Sequence, residues 1–356
     1  MTPANRALFV SAYPPDENVP KAGSKIAAAK LKDIAATHAW VDVVTFLDPD
    51  EDVFFRALPA NLEVHAFATT RCARLMAALR YPFLPFGASV RQHLAGRAVR
   101  RLLAVHAYDH VYVDFSQAAA VLPRRLMRRA SLRVHDVMST LYARHFAHAS
   151  ARRKPLYLLE RLRSGWFERT HYPAFGTLIC LTEKDATLIA DLTGARARAE
   201  EVQSHYRITT RSDKTVAAGA ILLFANFSRP ENSEGALWFL DQVFPAIRLA
   251  VPGAHVYLVG AGADVRLLSR QAAGITVTGF VEDPTRYFEV AQLAVAPLMV
   301  GAGVKIKVLE YLAAGIPTVA TTVGAEGIAQ NALLEVHDDG HGFSLACVAR
   351  LVQPCI

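Results

Sequence analysis

The sequence predicts an α/β protein made of two doubly wound domains, each with a parallel sheet flanked by helices. Three observations support this prediction. The 356 residues are about twice the usual domain length. Hydrophobic residues make up 52% and charged residues 20% of the chain, a balance typical of packed domains rather than disordered segments. Short apolar runs alternate with helix-length segments throughout, which is the pattern of βαβ units.

The first domain opens with a strand predicted over residues 7–12. A loop of small residues that includes Gly23 follows, and it leads into a helix over residues 26–36. A strand, a small-residue loop and a helix in this order can direct backbone N–H groups at a phosphate or a hydroxyl. Further strands of this domain are predicted over residues 41–46, 62–66, 110–113, 132–135 and 178–181.

The boundary between the domains is predicted near residue 205. Thr182, with Asp185 three residues later, has the spacing of a helix N-cap and begins the last helix of the first domain. The segment over residues 204–218 is polar and has no clear period, as expected of an interdomain linker. The first domain therefore covers residues 1–205 and the second covers residues 206–356. Strands of the second domain are predicted over residues 221–225, 255–259, 275–278, 293–296 and 318–320.

The net charge of +7 is concentrated in the first part of the chain. Residues 1–200 carry 28 Lys and Arg against 18 Asp and Glu, whereas residues 201–356 carry 11 against 14. From Arg71 to Arg101 there are seven arginines and no acidic residue, and this stretch contains the aromatic run of residues 81–86. Such a positively charged stretch attracts anionic lipid, a phosphorylated substrate or nucleic acid. Alternatively, its arginines simply keep a helix surface solvated. We expect contact with an anionic membrane surface and no nucleic-acid partner.

Several other classes of protein are not expected. The four cysteines show no CxxC spacing and no accompanying histidine cluster, so neither a zinc site nor a disulfide framework is predicted, and we expect no metal. The N-terminus lacks the pattern of a signal peptide, and no apolar run approaches the roughly 20 residues of a spanning helix. We therefore expect a cytoplasmic protein, peripheral on the inner face of the membrane.

Two loops that leave predicted strands of the second domain are suited to bind phosphate. The strand over residues 221–225 ends in a polar loop that contains Arg229, and a helix over residues 235–247 follows. Polar loops between a strand and a helix are where α/β domains bind anions. The next strand ends in Val-Gly-Ala-Gly, where Gly260 and Gly262 allow close approach of the backbone or form an ordinary turn.

A more specific signal is the segment that begins at Gly301 and reads GAGVKIKVLE. It follows a strand, so Gly301 and Gly303 are predicted to lie in a loop and the later residues to begin a helix. Lys305 and Glu310 are then a little over one turn apart. A helix N-terminus and a lysine neutralise phosphate, and a carboxylate accepts hydrogen bonds from two ribose hydroxyls. This pattern suits a nucleotide diphosphate sugar, although Glu310 and Lys307 could instead be solvated charges on the helix surface.

The order and spacing of these motifs resemble the donor-binding domain of retaining GT-B glycosyltransferases, a group 1 or family 4-like type found among bacterial polysaccharide and lipopolysaccharide enzymes. The motifs are VG at residues 259–260, TGFVED at 278–283, GAGVK at 301–305, Glu310, AGIP at 314–317 and GAEG at 324–327. The resemblance implies a GT-B fold, in which two Rossmann-like domains face a cleft. The first domain would bind the acceptor and the second would bind the donor.

The resemblance also implies roles for particular residues. Glu310 would hold the donor ribose, Lys305 and Arg229 would hold the pyrophosphate, and Phe280 and Val281 would frame the base. The glycines already named, Gly23, Gly260, Gly262, Gly301 and Gly303, would belong to the same binding site. The donor would be a UDP- or GDP-linked sugar, and no further cofactor is expected.

In the first domain the resemblance rests on the loop at Gly23 and on His135. This histidine is the last residue of a predicted strand and is followed by Asp136, at a point where the family often places an active-site histidine, although a structural role is the alternative. Two departures from the family pattern are present. The position eight before Glu310, where many members have a second glutamate, is Ala302, so that the acidic contact to the sugar is absent. Members usually continue for several more segments, and we expect the usual C-terminal helices to be missing.

The implied activity is transfer of a hexose from the nucleotide diphosphate sugar to a glycan or lipid-linked acceptor, with retention of anomeric configuration. An oxygen of the leaving diphosphate would take the acceptor proton, so that the protein contributes positioning and electrostatics. The expected catalytic residues are His135, Lys305 and Glu310. A sugar-nucleotide epimerase of the same fold and a non-catalytic partner subunit remain alternatives. A nicotinamide dehydrogenase is not expected, because no GxGxxG follows the first strand.

Overall fold

The apolar runs of the sequence form the strands of two parallel sheets. The computed structural model describes residues 5–16, 22–48, 59–200, 216–301 and 303–352. The chain divides into two compact units, Met1–Val202 and Gln203–Ile356, and each contains one sheet. Most of the predicted linker over residues 204–218 lies outside the described residues, and so does Ala302.

A seven-stranded sheet forms the centre of the first unit. Its strands are β1 (Arg6–Ser11), β2 (Trp40–Leu47), β3 (Leu62–Ala68), β4 (His110–Asp114), β5 (Ala130–Val134), β6 (Thr177–Cys180) and β7 (Ala197–Ala199). They lie side by side in the order β3-β2-β1-β4-β5-β6-β7, and each neighbouring pair is parallel. The strand order reverses between β1 and β4. In open α/β sheets, ligands bind outside the carboxyl ends of the strands at such a reversal.

Helices cover both faces of this sheet, which explains why its central strands are almost continuously apolar. Leu8, Phe9 and Val10 of β1 are all fully buried. The helices are α1 (Ala22–Thr37), α2 (Arg71–Arg80), α3 (Phe86–Val105), α4 (Arg124–Met127), α5 (Met138–His148), α6 (Lys154–His171) and α7 (Glu183–Thr193). A 3₁₀ helix, Ser116–Val121, follows β4.

Three predictions for the first unit can be compared directly with these elements. Thr182 is the N-cap of α7 and its side chain accepts a hydrogen bond from the backbone N–H of Asp185, which confirms the predicted cap. The loop predicted around Gly23 is wrong, because α1 already begins at Ala22 and Gly23 lies in its first turn. β5 ends at Val134, so His135 follows the strand instead of closing it.

A six-stranded parallel sheet forms the second unit. Its strands are β8 (Ala220–Phe224), β9 (His255–Val259), β10 (Ile275–Gly279), β11 (Leu293–Ala296), β12 (Thr318–Ala320) and β13 (Leu334–Val336), in the order β10-β9-β8-β11-β12-β13. The order reverses between β8 and β11. Ile221 and Leu223 pack into one buried cluster and Leu222 into another, so that apolar contacts cover both faces of β8.

The helices of the second unit are α8 (Pro230–Trp238), α9 (Phe244–Ala250), α10 (Val265–Leu268), α11 (Thr285–Val290), α12 (Ile306–Ala313) and α13 (Gly340–Val352). The single helix predicted over residues 235–247 is wrong in its bounds. The helical segment starts at Pro230 and contains a π-helical stretch, Phe239–Val243, before α9. Among helices in the described parts of both units, none combines the length and apolar character needed to cross a membrane.

Candidate functional site

Most predicted donor-site residues lie in loops at the carboxyl ends of neighbouring strands in the second sheet, and Glu310 lies in the helix α12 that follows one of these loops. The loop after β8 is shaped by Asn226, whose side-chain oxygen accepts a hydrogen bond from the N–H of Ser228 at 3.0 Å and whose carbonyl accepts one from Asn232 at 2.7 Å. This turn leads directly into α8. Arg229 is the N-cap residue of α8, and its side chain is exposed and lies 3.8 Å from Glu231. It is therefore accessible to an anion at this edge.

Gly260 and Gly262 allow two loops to pack closely. A Cβ at Gly260 would lie 1.9 Å from the carbonyl oxygen of Ala225, and one at Gly262 would lie 2.0 Å from the Oγ of Ser228. Both glycines have positive φ, 138° and 81°. A side chain at either position would push the loop after β8 away from the loop after β9. The close approach found here is thus between parts of the chain itself, and contact of these glycines with a donor stays a prediction.

Lys305 is buried at the start of α12, where it is the N-cap residue. Its Nζ donates a hydrogen bond to the carbonyl of Gly303 at 2.6 Å and lies 3.7 Å from Oε2 of Glu326, which is also buried. Gly301 is beside the same side chain, because a Cβ there would lie 3.4 Å from Lys305 Cε. The loop and Glu326 together fix the ammonium group and balance its charge.

Glu310 is buried in α12, with only 3% of its surface exposed. Lys307 is half-buried, and its Nζ donates a hydrogen bond to the side-chain oxygen of Asn232 at 2.9 Å. Burial lowers the pKa of Lys307, and the neighbouring charge of Lys305 lowers it further, to about 7. The alternative interpretation of Glu310 and Lys307 as solvated surface charges is therefore wrong. Tyr311 links α12 to the sheet, since its hydroxyl accepts a hydrogen bond from the N–H of Phe224 at 2.8 Å.

Phe280 and Val281 lie immediately after β10, which is the edge strand of this sheet. Phe280 is 65% exposed, whereas Val281 packs partly against a buried cluster of the unit. An exposed aromatic ring at a strand end is available to stack on a planar group. Both residues thus lie at the carboxyl ends of the strands, as Lys305 does. They follow β10, which is two strands away from β8.

In the first unit, His135 belongs to a buried charge network. Its Nε2 lies 2.9 Å from Oδ1 of Asp114 at the end of the neighbouring strand. The guanidinium of Arg133 donates to both oxygens of the same carboxylate, at 2.9 and 3.0 Å, and to the carbonyl of Ile26 at 3.1 Å. Burial alone would raise the pKa of Asp114, but Arg133 and His135 more than offset this and hold it below its usual range. Asp114 is therefore an ionised acceptor.

The ring of His135 is also fixed by an unusual backbone conformation at Phe115. Phe115 has a φ of 69°, which is strained for an aromatic residue, and its ring stacks on that of His135 at 3.7 Å between centroids. Gly23 makes room for both rings, since a Cβ there would lie 2.7 Å from the Phe115 ring and 3.6 Å from Nδ1 of His135. The structure therefore brings together the two residues of this unit that were predicted from sequence, Gly23 and His135.

Comparison with known proteins assigns a family to most of the second unit. Residues 218–351 match the family model described as glycosyl transferases group 1. This region is a group 1 glycosyltransferase domain. An uncharacterized 44.6 kDa protein in the cps region of Klebsiella pneumoniae is 21% identical over 264 residues, which are 70% of this chain and 65% of that protein.

The chain has the two-domain α/β fold of GT-B glycosyltransferases, as predicted. Sucrose-phosphate synthase of Thermosynechococcus elongatus is similar to it with a TM-score of 0.68 at 14% identity, over 97% of this chain and 89% of that chain. The Anabaena protein HepE in complex with UDP and glucose has a TM-score of 0.65 at 16% identity, over 98% of this chain and 90% of that chain. At such identities these similarities concern the fold.

The glycosyltransferase domain and its companion unit contain site residues that sequence reasoning does not single out. Asp114 and Arg133 do carry a signal, because each is a charged residue in an otherwise apolar strand, and charges in buried strands require partners. Glu326 is the charged residue of the GAEG motif that follows β12. In each case the sequence contains the residue, but its partner lies about 20 positions away or more and cannot be chosen without the fold.

A further cluster of metal-ligand types occurs at the opposite end of the first sheet. Asp42, Glu63 and His65 bring ligand atoms within 4.8 Å of one another. Both oxygens of Asp42 are already bound by the guanidinium of Arg6, at 2.7 and 2.9 Å, and Tyr108 donates to the same carboxylate. The guanidinium of Arg6 thus already neutralises Asp42. The group is an ion-pair network remote from the carboxyl ends of the strands.

Proposed function

We propose that the chain transfers a hexose from a nucleotide diphosphate sugar to a glycan or lipid-linked acceptor, with retention of anomeric configuration. The observation that carries this proposal is the placement of Lys305 and Glu310 after β11, with Glu326 after the neighbouring β12, next to the reversal of strand order in the group 1 glycosyltransferase domain. A buried ammonium and a buried carboxylate on one loop and helix provide one group for a diphosphate and another for a ribose.

In this proposal Lys305 and Arg229 stabilise charge that develops on the leaving diphosphate. Lys305 is held in place by Gly303 and Glu326, so that little reorganisation is needed when the charge appears. Arg229 is exposed at the start of α8, and it would contact the diphosphate from there. Glu310 accepts hydrogen bonds from the ribose hydroxyls. An oxygen of the leaving phosphate takes the acceptor proton, and positioning supplies most of the remaining rate enhancement.

His135 would contact a sugar hydroxyl. Because the ionised Asp114 can only accept hydrogen bonds, His135 Nε2 carries the hydrogen and donates a hydrogen bond to Asp114. We assign the diphosphate to the second unit, because Lys305 and Arg229 lie there.

The proposed setting is an anionic membrane surface on the cytoplasmic side. Phe83 is 78% exposed and Phe86 42% exposed, whereas Leu84 packs against the core. Leu75, Met76 and Leu79 of α2 are also exposed. Apolar side chains interleaved with arginines are suited to the headgroup region of a bilayer, where a lipid-linked acceptor would be available.

The test uses the purified chain with UDP- and GDP-linked hexoses. UDP-linked donors are tested first, because the similar protein HepE was solved with UDP and glucose. We expect slow hydrolysis of one donor to free sugar and nucleoside diphosphate, with the released sugar initially in the anomeric configuration of the donor by NMR. Formation of an epimeric nucleotide sugar would identify the epimerase alternative. A chain that binds no nucleotide and turns over no donor would instead be a non-catalytic subunit.

A further inference from the structure

A cavity of about 210 Å³ lies within the first unit, at the carboxyl ends of β1 and β4. It is therefore at the point where the strand order of the first sheet reverses, which is the usual ligand position in such sheets. Residues that follow both strands line it, Tyr13 after β1 and Gln117 after β4, together with residues of α3 and α6.

Arg91 of α3 and Glu168 of α6 both line the cavity. Among the described residues, no carboxylate lies within ion-pair distance of the Arg91 guanidinium. In the same part of the chain, its terminal nitrogens donate to the carbonyls of Ala12 at 3.1 Å and Gly87 at 3.4 Å, and its buried Nε has no hydrogen-bond partner. The guanidinium lies over the ring of Tyr13, 5.4 Å from the centroid, which holds it at this wall. A partly buried guanidinium with a spare donor is suited to bind an anion, phosphate above all.

The rest of the wall includes hydroxyl groups, aromatic rings and the carboxylate of Glu168. Ser164 of α6 is 1% exposed, and its Oγ has no hydrogen-bond partner in the described parts of the chain. Such a group is costly to bury unless a ligand or water satisfies it. Glu168, one turn further along α6, accepts hydrogen bonds from the N–H and the Oγ of Ser139, and the rings of Phe86 and Phe167 provide apolar surface. Hydroxyls beside aromatic faces match the polar edges and apolar faces of a sugar ring.

Aromatic contacts connect the cavity to His135. The ring of Tyr13 meets the ring of Phe115 edge to face at 4.9 Å, and Phe115 stacks on His135 at 3.7 Å. A ligand in the cavity would therefore lie beside Tyr13, and Phe115 would separate Tyr13 from the predicted active-site histidine.

We propose that this cavity binds the acceptor, and that the acceptor is a saccharide phosphate whose phosphate contacts Arg91 and whose hydroxyls contact Ser164. The inference rests on the proposed transferase function and adds the class of acceptor and its binding residues. Phe86 lines the cavity and is also 42% exposed, beside the more exposed Phe83. Phe86 thus connects the cavity to the apolar, arginine-rich surface, and the saccharide phosphate can be free or attached to a lipid.

The experiment measures binding to the full chain by calorimetry, with UDP binding recorded on every variant as the control for the donor site. The probes are glucose 1-phosphate, glucose, inorganic phosphate, and a prenyl diphosphate-linked N-acetylglucosamine in neutral detergent micelles. We expect a sugar phosphate, free or lipid-linked, to bind more tightly than glucose or phosphate alone. Binding of the micellar probe only would identify the lipid as the source, and binding of glucose 1-phosphate would identify a free acceptor.

The decisive variants are Arg91→Met, which keeps the side-chain stem, and Ser164→Val, which fills part of the cavity. Each should weaken binding of the sugar phosphate about tenfold or more, since a charge-assisted contact or the space for the ligand is lost. UDP binding and Tm should stay unchanged. Arg97→Met, an exposed arginine on the same helix, is the matched control and should bind like the parent.

The proposal is overturned if no sugar phosphate binds in either form while UDP still binds. It is equally overturned if Arg91→Met and Ser164→Val both bind the sugar phosphate as the parent does. Loss of UDP binding by the parent chain would instead count against the proposed transferase function, so the two failures are distinguishable.

Discussion

The Nε2 of His135 lies 2.9 Å from Oδ1 of Asp114, and the Asp114 carboxylate is simultaneously held by the guanidinium of Arg133. One carboxylate thus orients the predicted active-site histidine and neutralises a buried arginine. Asp114 is a positioning residue in this arrangement, because it acts on a substrate only through His135. Asp114 thus has two roles: its contact with His135 should affect turnover, and its contact with Arg133 should affect stability.

We predict that His135→Ala lowers turnover more than donor affinity, because a contact formed mainly in the transition state affects rate selectively. Asp114→Asn should lower turnover as well, and it should also cost about 3–5 kcal/mol of unfolding free energy because Arg133 is left buried without its anion. Steady-state kinetics and urea unfolding check both effects. His341→Ala, an exposed histidine in α13, is the control. Unchanged turnover in His135→Ala would return this residue to a structural role.

The donor site gives a second prediction. Glu310→Gln keeps the shape of the side chain and removes its charge, so nucleotide binding should weaken by roughly 1.5–3 kcal/mol through loss of charge-assisted hydrogen bonds. The paired variant Lys305→Met with Glu326→Gln removes the second contact without leaving either charge buried alone. Calorimetry with UDP measures both.

Glu234→Gln is the control for the donor site, because Glu234 is an exposed glutamate of α8. If the Glu310 variant and the paired variant bind nucleotide as tightly as the parent, the assignment of the donor site is wrong.

The lowered pKa of Lys307 predicts a pH dependence of stability. An unfolded lysine keeps its proton up to about pH 10.5, whereas the folded Lys307 releases it near pH 7. Between these values the unfolded state binds more protons, so the unfolding free energy should rise with pH across this window. Below about pH 7 the folded state carries the full cost of the desolvated charge.

Comparison with Lys307→Met isolates this effect, because other groups titrate equally in both proteins. The Tm of the parent minus that of the variant should increase from pH 7 to pH 10. A difference that stays flat over this range would contradict the lowered pKa.

The exposed aromatic run predicts binding to anionic membranes. Vesicles of phosphatidylcholine with phosphatidylglycerol should sediment the protein at low salt and release it at high salt, and pure phosphatidylcholine should bind less. Reversal of Arg71, Arg74 and Arg80 to Glu should abolish binding, since each basic residue contributes about 1 kcal/mol near the surface. Arg74 also lies 3.2 Å from Asp48, so its share should be the smallest of the three.

A matched charge reversal tests whether the effect is local. Arg124, Arg125 and Arg129 are exposed but do not flank the aromatic run in the sequence. Their reversal changes the net charge equally and should weaken binding less. Equal loss in both triple variants, or binding that ignores lipid charge, would show that the aromatic run is not the contact surface.

The strands show how much of this fold is encoded locally. Those predicted over residues 293–296 and 318–320 coincide with β11 and β12, because a strand buried on both faces must be an unbroken apolar run. β7 and β13 were not predicted, since each has only three residues and is incompletely buried at one edge of its sheet. The prediction that Gly23 lies in a loop was wrong for a different reason. Glycine normally weakens a helix, but in α1 the rings of Phe115 and His135 require its small size.

The sequence by itself determined the two-domain α/β class, most strands, and the order of the glycines, lysine and glutamate that mark a group 1 glycosyltransferase domain. These features depend on local burial patterns and on spacing along the chain, which are readable without a fold. Only the tertiary structure decided that Asp114, Arg133 and His135 share one network, that Glu326 faces Lys305, and that Arg91 and Glu168 line one cavity. Each is a relation between residues on separate elements, and strand order and helix packing bring such residues together because buried charges are stable only where a partner is within reach.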